Sequence, residues 1–175
     1  MGTYLNPGNS GFEEIRGSYY ADKSGLISLI NQTIGTKQKL TCISRPRRFG
    51  KYFAAQMLCA YYDKTCDSSS LFDDLAIARD SHYTRHLNQY DVIYLDMTSI
   101  IGEAPPTDIV SYTKRNIIRE LTIRYPELEA EESFTSTLIN ATELTGNRFI
   151  MIIDEWDAPI REFKYNRQVR QNYLD

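Results

Sequence analysis

In the stretch CISRPRRFGKYFAAQML, residues 42–58, Gly50 and Lys51 stand together behind Arg45, Arg47 and Arg48. Residues of these types gather anions. A phosphate loop forms where a strand delivers a tight turn whose backbone N–H groups converge on one phosphate, while the helix that follows directs the positive end of its dipole at the same point. Every part of that arrangement can be assigned here: a strand over residues 39–44, a loop of Arg45, Pro46, Arg47, Arg48, Phe49 and Gly50, then Lys51 placed to reach terminal phosphates at the start of a helix. Two residues depart from the usual pattern. Arg45 stands where the first glycine would, and Tyr52 stands where Ser or Thr normally offers its hydroxyl to magnesium.

A second group of residues could complete the chemistry. FIMIIDE is a hydrophobic run ending in Asp154 and Glu155, the place where P-loop proteins carry a magnesium-side carboxylate and, in one large division, an adjacent glutamate that polarises the attacking water. Acids at the C-terminal ends of parallel strands also collect in the crevice where ligands bind. Asp96 closes another apolar run, DVIYLDM, and either touches a metal's water shell or stabilises a loop. Asp157 lies just past Glu155, before Pro159, with a catalytic role and a turn-forming role equally open.

The elements that must position these groups follow from pattern. KLTCIS, residues 39–44, predicts the first core strand, since its β-rich run stops at an Arg/Pro/Gly cluster. Residues 51–63 predict a helix burying one stripe through Phe53, Met57, Leu58 and Tyr61. Residues 91–97 predict a second strand, and residues 148–157 a third, buried on both faces between Phe149 and Ile153. Residues 107–124 and 129–145 predict helices, the first capped by Thr107 or Asp108 after two prolines, the second ended by Gly146. YYADKSGLISLINQTI predicts a helix with Asp22 or Ser24 near its start, and residues 63–88 predict loop with short helices. Strands separated by helix-length returns argue for a parallel α/β sheet flanked by helices.

The chain has 175 residues, 42% apolar and 25% charged, with a net charge of -3. That length suits one domain with a single core, and the composition is that of a globular protein. An acidic balance gives no global attraction to nucleic acid, so any anion site is local. Cys42, Cys59 and Cys66 match no metal-ligand spacing and no even-numbered framework, which predicts reduced, packing thiols in a cytoplasmic protein. No membrane span, signal peptide or myristoylation pattern is legible, so no membrane partner is expected. His82 and His86 have the four-residue spacing of two zinc ligands, but no third ligand group stands nearby.

Taken in order, YYADKSGLI, SRPRRFGK, LDM and IIDEWDAPI resemble the AAA-ATPase-like family of bacterial and archaeal proteins, P-loop NTPases whose loop typically reads Ser-Arg-Pro-Arg-Arg-Phe-Gly-Lys-Ser. The resemblance covers nearly the whole chain and accounts for Arg45, because that family lacks the first glycine. It implies ATP binding by Gly50 and Lys51 with the backbone of the loop from Arg45 to Tyr52, magnesium handled through Asp154, and water activation by Glu155. Such proteins usually continue through further sheet strands and often into a C-terminal nuclease-like domain. The expectation is therefore one partial P-loop domain over residues 1–175, incomplete at its C-terminus, with a helical lead-in at 1–38 and a nucleotide-binding core at 39–175. Asp22 and Lys23 belong to the lead-in motif and are expected to pack beside the nucleotide without an assigned contact, and Trp156 is expected to pack in the core.

Tyr52 bears on activity directly. A phenolic oxygen lies several ångströms farther from the backbone than a serine oxygen, so magnesium loses a ligand while the phosphates keep theirs. The expected function is ATP binding with hydrolysis weak or absent. The alternative is a non-catalytic scaffold that binds protein or nucleic acid through Arg45, Arg47 and Arg48; the absence of aromatics interleaved on a basic face weighs against nucleic acid. A protein partner or a second copy of the chain stays open.

Overall fold

The computed structural model describes residues 2–44 and 49–174, so the predicted loop residues Arg45, Pro46, Arg47 and Arg48 lie outside the described part. The chain packs as two compact units, one formed by Asn6–Val92 and the other by Gly2–Leu5 with the chain from Ile93 onward.

The first unit is helical. It contains α1 (Ser10–Arg16), α2 (Gly25–Asn31), α3 (Lys51–Tyr62), α4 (Ser69–Phe72), a 3₁₀ turn over Ala76–Arg79 and α5 (Tyr83–His86). Its centre is the C-terminal half of α3, where Met57, Leu58, Cys59, Ala60, Tyr61 and Tyr62 are all buried. Aromatic rings lock around it: Phe12 of α1 stacks on Phe72 at 5.1 Å, and Tyr61 meets Phe72 edge-on at 5.4 Å. Such edge and offset geometries suit the ring quadrupoles. The predicted stripe holds except at Phe53, which is 40% exposed because it lies in the first turn of α3, away from this cluster.

A buried polar lattice closes the unit. Asp91 is fully buried between the Lys64 ammonium at 2.8 Å and the Asn6 side-chain amide, which donates to it at 2.7 Å. Asp63, also buried, accepts from the backbone N–H of Gly8 and of Thr65. These carboxylates are tolerated inside because each has donors facing it.

The second unit carries β1 (Asp91–Asp96) from Ile93 onward, then α6 (Met97–Glu103), a 3₁₀ turn over Pro106–Asp108, α7 (Ile109–Arg124), α8 (Phe134–Thr145), β2 (Phe149–Asp154), α9 (Ala158–Glu162) and α10 (Arg167–Leu174). β1 and β2 pair as a two-stranded parallel sheet, which makes the class α/β. The core joins Ile93 and Leu95 of β1 to Ile100, Ile117, Leu121, Ala141 and Val169 from the helices. Residues 2–5 turn tightly against it, the Gly2 N–H donating to the Leu5 carbonyl: Leu5 bridges Ile93, and the Glu120 carboxylate accepts from the backbone N–H groups of Thr3, Tyr4 and Leu5. Among the described residues no helix is long and apolar enough to cross a membrane.

Several expectations are corrected. Residues 39–44 form no strand and are exposed throughout, with Leu40 at 92%. A strand is not locally encoded; it needs a neighbour's backbone, and the described sheet pairs only β1 with β2. β2 is not buried on both faces, since Met151 and Ile153 are 43% and 45% exposed and share one face by the period of two. Met97 opens α6 rather than closing β1. The helix expected from residue 129 begins at Phe134, where the Ser133 hydroxyl caps it by accepting from Ser136 N–H. Its end at Gly146, with φ +69, is as predicted. Trp156 is half-exposed rather than in the core, and Cys42 is an exposed thiol.

Candidate functional site

In the first unit the candidate residues stand where α3 begins. Gly50 holds φ +76, a left-handed conformation that costs an L-residue with a Cβ roughly 1 kcal/mol or more, and Lys51 follows as the first helical residue. The Gly50 carbonyl accepts the first helical bond from Ala54 N–H. The opening amides of α3 therefore stand at a turn that only its glycine makes easy, at the positive end of a helix of 12 residues.

The lead-in motif packs directly on this turn. Lys23 Nζ donates to the carbonyl of Phe49 at 2.7 Å, and a Cβ added at Gly50 would lie 2.7 Å from the same ammonium. Lys23 is held in place by its neighbours. Asp22 accepts from Ser24 N–H and from Ala76 N–H, both at 2.8 Å, and Ser24 Oγ accepts from Ile77 N–H at 3.0 Å. Partial burial of Asp22 acts to raise its carboxyl, but the Ala76 and Ser24 amides outweigh it and hold the group below its ordinary range. Tyr20 donates to Met57 Sδ and accepts from Lys23 N–H. Tyr19, Tyr20, Lys23, Phe49, Gly50 and Phe53 line a pocket of about 320 Å³. Within the chain, Lys23 holds Phe49, and Asp22 holds Ser24 and Ala76.

Tyr52 is half-exposed, its ring 6.2 Å from that of Phe53. It has no short hydroxyl to offer at the place where a serine would stand.

A separate group of candidate residues lies at the end of β2, in the second unit. Asp154 is buried, and its Oδ1 accepts from the Glu155 N–H at 3.0 Å. Glu155 has φ +50, uncommon for a residue with a side chain and a local strain. Arg161, which the sequence reading passed over, holds both neighbouring acids: Nη2 donates to Glu155 at 2.8 Å and Nη1 donates to Asp157 at 2.5 Å. The Asp157 hydrogen bond, followed by that of Glu155, keeps the Arg161 guanidinium above its ordinary range despite some desolvation. The signal for this pair was the four-residue spacing of Asp157 and Arg161 across α9.

Asp96 takes the loop-stabilising role left open for it. It caps α6 by accepting from Thr98 N–H, Ser99 N–H and Ser99 Oγ. His82 and His86 are not brought together as ligands: His86 is buried with Nδ1 2.5 Å from the Tyr90 hydroxyl, whereas His82 contacts Ser81 and Asp80.

At the start of α3 a left-handed glycine is followed by Lys51 and braced through Phe49 by Lys23, a helix start of the kind that suits an anion. For a metal the donor set is thin. Among the described residues no group of three or more His, Cys, Asp or Glu is arranged to hold an ion, and Asp154 offers a single carboxylate.

The model of the AAA-ATPase-like family, described as a predicted AAA-ATPase, matches residues 7–175, and the chain belongs to that family. No curated protein and no solved structure matches the chain.

Proposed function

We propose that this chain binds ATP through the loop that ends at Gly50 and Lys51, and that Tyr52 makes its hydrolysis weak or absent. The observation that carries the reading is the left-handed Gly50 at the head of α3, with Lys51 in the first helical position and Lys23 braced on the preceding carbonyl. Membership of a predicted ATPase family supports nucleotide as the ligand. In this reading the amides around Gly50 and the Lys51 ammonium hold the phosphates, Asp154 holds magnesium through its carboxylate, and Glu155 takes the proton of the attacking water. Bound Mg-ATP would supply the γ-phosphoryl group that such a water attacks, with ADP as the leaving group. Tyr52 leaves the phosphate contacts intact and removes a metal ligand, so binding outlasts catalysis.

Two measurements test this. In thermal unfolding, ATP should raise the midpoint progressively with concentration, with and without magnesium, and Lys51→Ala should abolish the shift; a flat response would leave the non-catalytic scaffold as the reading. In single-turnover assays with magnesium, Tyr52→Ser should hydrolyse ATP about tenfold or more faster than the wild type. Equal, vigorous rates in both would refute the metal argument.

A further inference from the structure

We infer that two copies of this chain pair antiparallel along the outer edge of β2, with Met151 facing Met151 across a two-fold axis. The inference stands apart from the nucleotide reading.

The two edges of the sheet are finished differently. On the outer side of β1, Leu5 bridges Ile93 and the Tyr94 N–H donates to the Tyr4 carbonyl at 2.8 Å, so the chain itself closes that edge. Beyond β2 no strand is paired among the described residues, and the backbone of residues 149–153 makes no bond there outside its ladder with β1. In a parallel ladder every second residue of an edge strand turns its N–H and C=O away from its neighbour, so β2 presents a row of donors and acceptors to water. Natural edges are commonly blunted by a lysine or a proline, and the FIMIID of β2 has neither. The same strand bares Met151 and Ile153, at 43% and 45%, on the face they share with Phe149.

The sequence of β2 selects its own copy as the occupant. Antiparallel pairing centred on Met151 sets Phe149 of each copy opposite Ile153 of the other, so the apolar side chains of that face run on as one strip. The same register brings Arg148, exposed just before β2, level with Asp154 of the second copy, cation to carboxylate at both ends of the pair. Parallel pairing would set Arg148 beside Arg148 and Asp154 beside Asp154, and like charges directly opposite are unfavourable. A two-fold axis makes the two charge pairs equivalent and closes the assembly at two copies.

Sedimentation equilibrium of the whole chain tests the inference. The wild type should pass from one copy to two as its concentration rises. Met151→Lys, which sets two ammonium groups opposite each other, should weaken the dimer about tenfold or more. Arg148→Asp should weaken it about threefold or more. Ile123→Lys, at an apolar side chain of α7 that is 71% exposed, should change nothing. All three side chains already stand largely in water, so these variants keep the fold. Cross-linking in a Cys42→Ser background reads the register: Met151→Cys should form an intermolecular disulfide on oxidation, whereas Ile153→Cys lies about 13 Å along the strand from its counterpart and should not. A chain that stays single at every concentration would overturn the inference and leave the edge to an extended segment of another protein. So would a dimer indifferent to Met151→Lys, one weakened equally by Ile123→Lys, or one in which Ile153→Cys cross-links as readily as Met151→Cys.

Discussion

Arg161 donates to Glu155 across 2.8 Å, so the carboxylate proposed as the base is held by a cation of its own chain. The same guanidinium takes Asp157, and all three side chains are partly exposed. An ion pair of this kind contributes at most about 1 kcal/mol to stability, yet it fixes where a carboxylate points. Arg161→Gln should therefore shift the urea midpoint little and raise single-turnover ATP hydrolysis about three- to tenfold. Glu155→Gln in the same background should remove the gain. A rise that survives Glu155→Gln would exclude Glu155 as the base.

Gly50→Ala should cost about 1–2 kcal/mol, because alanine disfavours φ +76 and its methyl would meet Lys23 Nζ at 2.7 Å. The ammonium can swing aside, but the bond to the Phe49 carbonyl goes with it. Urea unfolding of Gly50→Ala beside Lys23→Ala checks this; the glycine variant should lose more, since it loses the bond and gains the strain.

Asp91→Ala should destabilise by about 3 kcal/mol or more, the usual consequence of removing one partner of a buried ion pair. Lys64 would lose its carboxylate and the Asn6 amide its acceptor, although Asn6 Oδ1 would still accept from Val92 N–H. Chemical denaturation reads the loss directly, and a change below about 1 kcal/mol would mean that water replaces both contacts.

His86 gives a pH dependence with a definite sign. Burial, aided by Arg85 and then His82, holds its imidazole below the ordinary value of 6.5. Under acid the unfolded chain takes up a proton that the folded chain refuses, so this contribution is fully present above pH 6.5 and is lost as the pH falls from there toward the folded value. Urea unfolding at a series of pH values should show that decline in the wild type, and a shallower one in His86→Gln.

What the sequence made legible was what is locally encoded. The helix over residues 51–63, the apolar runs that became β1 and β2, the stop at Gly146 and the acids at the end of β2 follow from period, capping and composition. Residues 39–44 failed because a strand depends on a partner backbone that no local pattern supplies. The bare face of Met151 and Ile153 failed for a related reason, since a continuous apolar run reports what would suit burial and not what covers it. Lys23 on Phe49 spans 26 positions, beyond any periodic signal. Arg161 follows Asp157 at a four-residue spacing, a local signal, but lies just beyond the IIDEWDAPI motif.

Met151 and Ile153 also bear on how the molecule behaves in company. Two apolar side chains bared on one face of a short strand are an adhesive, and adhesion between molecules grows with crowding and with salts that strengthen hydrophobic contact. Their pull on a neighbouring molecule is set by concentration and ionic medium, even where every molecule is correctly folded.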